Sequence, residues 1–195
     1  MRLAIFGATG PTGRLLVDKA LAAGHDLAVY ARDPGKVTAT SPRLRVVQGS
    51  LTDTAAIARV VQGRDAVISL LGPKGKSPGL PISAGTANIV AAMKRHGVRR
   101  IVATATPSAA DPNDRFSLPF ALAVSAVRLM LRSAYDDIVA TAGVIRGSGL
   151  DWTLARLPHA RRCEAGCRTA RGLCRRPEGS AVLSVPQCPC RFPAG

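Results

Sequence analysis

One stretch, Gly7-Ala8-Thr9-Gly10-Pro11-Thr12-Gly13-Arg14, restricts the possible folds of this chain more than any other, because of what flanks it. The apolar run Leu3-Ala4-Ile5-Phe6 precedes it and reads as a short buried strand. Leu15-Leu16-Val17 and Ala20-Leu21 follow at helical spacing over residues 14–23, and Gly24 stands in the stop position of that helix. A strand that feeds a glycine-punctuated turn and then a helix builds an anion cradle. The glycines let backbone approach the ligand, and the helix N-terminus aims unpaired N–H groups and a partial positive charge at it. The spacing is GxxGxxG, not the GxGxxG of the standard dinucleotide fingerprint, so the flanking sequence has to carry the rest of the argument.

That sequence continues in alternating strands and helices. Leu27-Ala28-Val29-Tyr30 is the next strand and completes a βαβ unit. Where a site selective for NAD places an acid for the ribose 2′-hydroxyl, this chain has Ala31-Arg32-Asp33-Pro34-Gly35-Lys36. Arg32 comes before the acid, and a guanidinium fork matches phosphate geometry, so the reading is the 2′-phosphate of NADP (NADPH), with Lys36 and Arg14 in reach of the same end. Residues 44–51 give a third strand and its exit, with Thr52 or Asp53 capping a helix over residues 54–61. Ala66-Val67-Ile68-Ser69-Leu70-Leu71 is a continuous apolar run, as expected of a parallel strand buried on both faces. It leaves through a Gly, Pro and Lys loop beginning at Gly72. A helix over residues 83–96, a strand over 100–106, a loop over 107–119, a helical stretch over 120–147 and a turn with a sixth strand over 149–158 complete the pattern. Thr104 and Thr106 sit at period two, so their hydroxyls share a face. The fold class is therefore α/β: a Rossmann doubly wound parallel sheet in three αβα layers, with ligand beyond the carboxyl ends of the strands.

Composition narrows the function classes. The chain has 195 residues, enough for one domain and too few for a separate substrate domain. No run of 18 apolar residues appears, and the N-terminus passes directly into a strand, so the expectation is a cytoplasmic protein without a membrane span. The formal net charge is +15, but residues 1–159 hold 20 Lys and Arg against 10 Asp, dispersed over helical faces and loops. With only 1 Trp, 2 Tyr and 4 Phe there are no stacking platforms, and a specific nucleic-acid partner is not expected. All five cysteines (Cys163, Cys167, Cys174, Cys188, Cys190) lie in the last part of the chain, in irregular spacing that fits neither a disulfide framework nor a zinc site. No metal is expected.

Taken together, the motifs AIFGATGPTGR, VYARDP, DAVISLLG, NIVAAMKRHGVRRIVA and SGLDWTLARLPH resemble the atypical short-chain dehydrogenases/reductases, in the NmrA-like NAD(P)H-binding group. Within it the chain is most similar to the biliverdin-IXβ reductase/flavin reductase family, over residues 2–159. The resemblance implies NADP lying extended across the strand ends. Gly7, Thr9, Gly10, Pro11, Thr12, Gly13 and Arg14 would hold the pyrophosphate side, and Arg32 with Lys36 the 2′-phosphate. Ser50 and Leu51 would flank the adenine, although the family usually has Asp where this chain has Ser50. Leu71, Gly72 and Lys74 would line the middle of the cofactor, and Thr104, Thr106, Pro158 and His159 the nicotinamide. Tyr135 is followed four residues on by Val139, so the Tyr-x-x-x-Lys pair of most short-chain dehydrogenases is absent and Tyr135 reads as helix packing. The family chemistry implies hydride delivery to a small planar acceptor, with Thr106 and His159 at the catalytic positions. The plain alternative for Thr106 is a strand-end hydroxyl bonded to backbone. A sensor that binds NADP(H) without turnover is the alternative function, and the expected assembly is a monomer or weak homo-oligomer.

Residues 1–158 thus read as the NAD(P)-binding domain, and residues 159–195 as an aberrant tail rich in Arg, Cys and Pro, with 7 Arg against 2 Glu in residues 160–195. The tail has the composition of GC-rich coding read out of frame and is expected to be poorly ordered, leaving the end of the Rossmann sheet incomplete. Only Ala181-Val182-Leu183-Ser184-Val185 reads as a possible strand there.

Overall fold

A computed structural model of the chain describes residues 1–73, 79–106, 109, 124–126 and 128–156, together with the backbone of two later strands, 172–175 and 181–184. Strand β1 (Arg2–Phe6) leads through the glycine turn into α1 (Pro11–Ala22) and back to β2 (Asp26–Ala31). A short 3₁₀ turn (Pro34–Lys36) precedes β3 (Leu44–Gln48), and α2 (Thr54–Val61), β4 (Ala66–Ser69) and α3 (Pro81–Arg95) follow. The sequence then gives β5 (Arg100–Ala105), α4 (Arg132–Arg146), β6 (Asp151–Arg156), β7 (Gly172–Arg175) and β8 (Ala181–Ser184).

The sheet order is β3-β2-β1-β4-β5-β6-β8-β7, with the first six strands parallel. The direction of winding reverses between β1 and β4. That is the point at which doubly wound sheets open a crevice beyond their carboxyl ends.

Alternation along β1 explains the layering. Leu3 and Ile5 face one side and pack with Val17 and Ala20 of α1 and with Leu27 and Val29 of β2. Ala4 and Phe6 face the other, into a larger core built with Ile57, Val60 and Val61 of α2, Ile89 and Met93 of α3, and Ile145 of α4. Both faces of the central strands are buried, which is why they read as unbroken apolar runs. At the C-terminal edge, β8 pairs with β6 in parallel and β7 pairs with β8 in antiparallel. The strand over 181–184 matches the sequence reading, whereas Gly172-Leu173-Cys174-Arg175 carries no strand period and was not anticipated. Its extended form comes from pairing with a neighbour, the context that routinely overrides intrinsic strand preference.

Element ends differ from the sequence reading by a few residues, except that the helical stretch expected over 120–147 is interrupted at Leu131: residues 124–126 and 128–130 are helical before it, and α4 starts at Arg132. Helix α1 begins at Pro11, because proline suits the first helical turn, and it closes before Gly24 at φ 78°. Strand β5 ends at Ala105, so Thr106 lies just past it. The loop expected over 107–119 lies outside the described residues, Ala109 apart, as does most of the 159–195 tail.

Candidate functional site

The strand register sets the floor of the site. Phe6 pairs with Tyr30 and with Ser69, Ser69 with Ala103, Ala103 with Leu154, and Tyr30 with Val47. These residues form one line across six strands. Gly7, Arg32, Ser50, Leu71, Thr104 and Thr106 all fall just beyond it, so residues far apart in sequence meet on one edge of the sheet. Lys74, Pro158 and His159 lie outside the described residues.

The three glycines of the turn have separate duties. Gly7 has φ 84°, and a Cβ there would stand 2.7 Å from the Leu70 carbonyl, so the chain can turn beside β4 only without a side chain. A Cβ on Gly13 would collide with the Gly7 carbonyl oxygen and lie 2.6 Å from Ala8 Cα, so α1 packs onto the turn through bare backbone. Gly10 is different: a Cβ there meets nothing nearer than the Gly7 carbonyl oxygen at 3.6 Å. That side is open to a ligand. The turn is held by the Gly10 N–H donating to the Gly7 carbonyl at 3.3 Å and the Arg14 N–H to the Gly10 carbonyl at 3.0 Å.

No side chain caps α1. Gly10 is its cap residue, Pro11 has no N–H, and no acid stands in the first turn. The N–H groups of Thr12 and Gly13 therefore keep their partial positive charge for an external acceptor. Thr9 is half-buried, and Pro11, Thr12 and Arg14 are exposed around this end. By contrast α2 is closed by its own Asp53, whose carboxylate accepts from the Ala56 N–H at 2.9 Å.

At the end of β2 the charges are already sorted. Asp33 accepts from the Gly35 N–H at 3.1 Å and pairs with the Lys36 ammonium at 3.0 Å. The hydrogen bond from Lys36 and its charge hold the Asp33 carboxyl below the usual carboxylate range. Asp33 thus shapes the turn and is already paired on its exposed side. Lys36, expected at the 2′-phosphate, is tied to Asp33. The exposed Arg32 guanidinium has no ion pair among the described residues, and it is the group left for an anion here.

Beyond β3, Tyr30 braces the next wall. Its ring tilts against Phe6 with centroids 5.3 Å apart, and its hydroxyl donates to the Ser50 carbonyl at 2.6 Å. Burial raises its pKa, the negative charge of Asp53 adds to the rise, and Arg59 opposes it. Gly49 must be glycine for this: a Cβ would stand 2.8 Å from Tyr30 Cζ. Ser50 Oγ is bonded to Thr52 Oγ1 at 2.6 Å. Leu51 is half-buried against the core, and Asn88 of α3 donates from Nδ2 to its carbonyl at 2.8 Å. Leu71 packs against the same core, and Gly72 is exposed, with nothing among the described residues within 4 Å of where a Cβ would stand.

At the far side, Thr104 is half-buried opposite Ala155. Among the described residues Thr106 Oγ1, a buried atom, has no hydrogen-bond partner, although the Thr106 carbonyl accepts from the Ala109 N–H at 3.0 Å. The hydroxyl is therefore not spent on backbone. Tyr135 is half-buried with the Arg128 guanidinium 5.8 Å from its ring centroid. No metal-binding group of three His, Cys, Asp or Glu occurs among the described residues, and none of their helices is long and apolar enough to cross a membrane.

Two residues of consequence were not singled out from sequence. Asn88 opens the motif NIVAAMKRHG, and its place as first letter was the only signal. Asp137 of α4 is 2% exposed, and its carboxylate accepts from the Ser83 N–H at 2.7 Å and the Ile82 N–H at 3.1 Å. It caps α3 from another helix, a link that nothing local in the sequence announces.

The turn space at Gly10, the uncapped end of α1, the unpaired Arg32 and the orphaned Thr106 hydroxyl lie along one sheet edge and fit an extended dinucleotide. Fold and site together define a Rossmann protein of the dinucleotide-binding class. A family model described as NAD(P)H-binding matches residues 7–171, and the chain belongs to that NAD(P)H-binding family.

The chain is 29% identical over 133 residues to the oxidoreductase ordB of Dothistroma septosporum, an alignment that covers 65% of this chain and 45% of that protein. It is 27% identical over 152 residues to a (4-alkanoyl-5-oxo-2,5-dihydrofuran-3-yl)methyl phosphate reductase of Streptomyces griseus, covering 78% of this chain and 45% of that one. The chain therefore spans less than half the length of these curated relatives. Among solved structures, a short-chain dehydrogenase/reductase from Veillonella parvula in complex with NADP superposes with a TM-score of 0.68 at 21% identity, covering 94% of this chain and 81% of that one. A putative NAD-dependent epimerase/dehydratase from Bacillus halodurans gives 0.66 at 17% identity, covering 88% and 77%. These structural likenesses establish the fold.

Proposed function

We propose that the chain is an NADPH-dependent oxidoreductase that passes a hydride to a flavin, a quinone or a similar planar acceptor, in the NmrA-like group nearest the biliverdin-IXβ reductase/flavin reductase family. The bound cofactor supplies the hydride, and the protein supplies binding and orientation. Thr12 and Gly13 N–H groups take the pyrophosphate, Arg32 takes the 2′-phosphate, Ser50 and Leu51 flank the adenine, and Leu71 and Gly72 border the middle. Thr104, Thr106, Pro158 and His159 border the nicotinamide. The observation that carries the catalytic part is the buried Thr106 hydroxyl without a partner, at the carboxyl edge where the nicotinamide ends. A buried hydroxyl without a partner costs free energy, which a polar ligand group at this edge would recover. Such a hydroxyl would hold a polar edge of the acceptor, and the overall balance is one hydride from NADPH and one proton from solvent for each acceptor reduced. The oxidoreductase and reductase relatives support the same reaction class.

The missing Tyr-x-x-x-Lys pair, with Val139 four residues after Tyr135, favours a second reading, an NADP(H) sensor that binds without turnover. One experiment separates the two. NADPH oxidation is followed with FMN or a quinone as acceptor, beside thermal stabilisation by NADPH. The reductase reading expects turnover that falls at least about tenfold in Thr106→Val while stabilisation by NADPH persists. Stabilisation without turnover in the wild type would instead establish the sensor.

A further inference from the structure

Helix α3 does more than cover the sheet: its start is held by α4, and two of its residues meet Leu51, on the adenine side proposed above. Its own cap residue, Leu80, offers no side-chain acceptor, and Pro81 has no N–H. The first free donors, Ile82 and Ser83, are both taken by Asp137 from α4, at 3.1 and 2.7 Å. A carboxylate on two N–H groups at a helix start also interacts favourably with the positive end of the helix dipole, so one buried side chain anchors the start of α3. Further along, Gly85 and Asn88 stand three apart and so share a face. A Cβ on Gly85 would lie 2.7 Å from Leu51 Cβ, so Leu51 sits directly on the bare backbone of the helix. Asn88 Nδ2 donates at 2.8 Å to the Leu51 carbonyl. Neither bond touches the glycine turn or the β5 edge.

From this arrangement we infer that Asp137 and Asn88 are positioning residues for nucleotide binding: Asp137 seats α3, and α3, through Gly85 and Asn88, sets the Leu51 wall against which the adenosine half of the cofactor packs. The inference rests on the adenine placement proposed above. It assigns a role to a helix pair that the hydride chemistry does not use, and it predicts an effect confined to one half of the ligand.

Titration calorimetry with adenosine 2′,5′-bisphosphate and with NADPH tests it on the full chain. Asn88→Ala weakens both ligands by the same factor, about threefold to tenfold for one lost hydrogen bond, because the whole loss lies in the half they share. Asn88→Asp keeps the shape but removes the donor, and it reproduces the loss should the alanine variant fail to fold. Asp137→Asn shifts both ligands the same way. An unchanged bisphosphate affinity in Asn88→Asp, or a loss seen with NADPH alone, overturns the relay. Wild-type protein that binds neither ligand overturns the adenine placement, and the relay with it.

Discussion

At the scale of single residues, the site is a matter of where side chains are forbidden and where charge is left unspent. Gly13 shows the first. Its missing Cβ is the room that the Gly7 carbonyl and Ala8 occupy, so Gly13→Ala must push α1 away from the turn that it caps. Overpacking of this kind costs about 1–3 kcal/mol, and here the strain falls on the phosphate donors themselves. Gly13→Ala is expected to lower both the melting temperature and the affinity for NADPH, whereas Gly143→Ala, exposed on α4 with nothing within 4 Å of the added Cβ among the described residues, lowers neither; equal behaviour of the two variants in thermal melts would contradict this account. Arg32 and Asp33 show the second principle. Sequence alone offered both an arginine and an acid at the end of β2. It could not say which was engaged, because the Asp33 bonds to Gly35 and Lys36 depend on the conformation of the turn.

Among elements, the contrast between helix starts does the sorting. Helix α2 carries its own acid and α3 borrows Asp137, whereas α1 and α4 have neither, and of these two only α1 opens on the glycine turn at the carboxyl edge of the sheet. An anion is therefore drawn to α1, where no carboxylate competes. Asp53→Ala is expected to cost about 1 kcal/mol in chemical denaturation, as loss of an N-cap does, and to leave NADPH affinity within about twofold. A large loss of cofactor affinity in that variant would mean that α2 takes part in binding. The elements were also the most legible level of the sequence. The glycine turn, the stop at Gly24, the cap at Thr52 or Asp53, which the structure places at Asp53, and the apolar run of β4 are local signals with local causes. The cap on α3 was not legible, since Asp137 lies 54 residues from Ser83 and only folding brings them together. Nor was β7, whose four residues are extended because β8 offers them partners.

Across the whole molecule, the first six strands place every described candidate residue on one edge, and that placement follows from the parallel register. Near β1 the register is tied by an ion pair. Asp65, at the entry to β4, accepts from the Arg2 N–H at 2.7 Å and from its guanidinium at 2.8 Å, and these bonds hold the carboxyl below its ordinary value. The lowered folded-state pKa means that this contribution is complete above the unfolded value, about 3.9, and is lost as the pH falls through the folded value. Wild-type protein should lose melting temperature below about pH 4 more steeply than Asp65→Asn, in which the group no longer titrates; parallel pH profiles would show that the tie carries no stability. The central claim is that one edge of this sheet holds NADPH, with the 2′-phosphate on Arg32. Its most direct test is calorimetric titration of NADPH and NADH into wild type and Arg32→Ala. The account predicts a wild-type preference for NADPH of at least about tenfold, lost in Arg32→Ala through weaker NADPH binding while NADH affinity stays nearly constant. Equal losses for the two cofactors, or no wild-type preference, would contradict it.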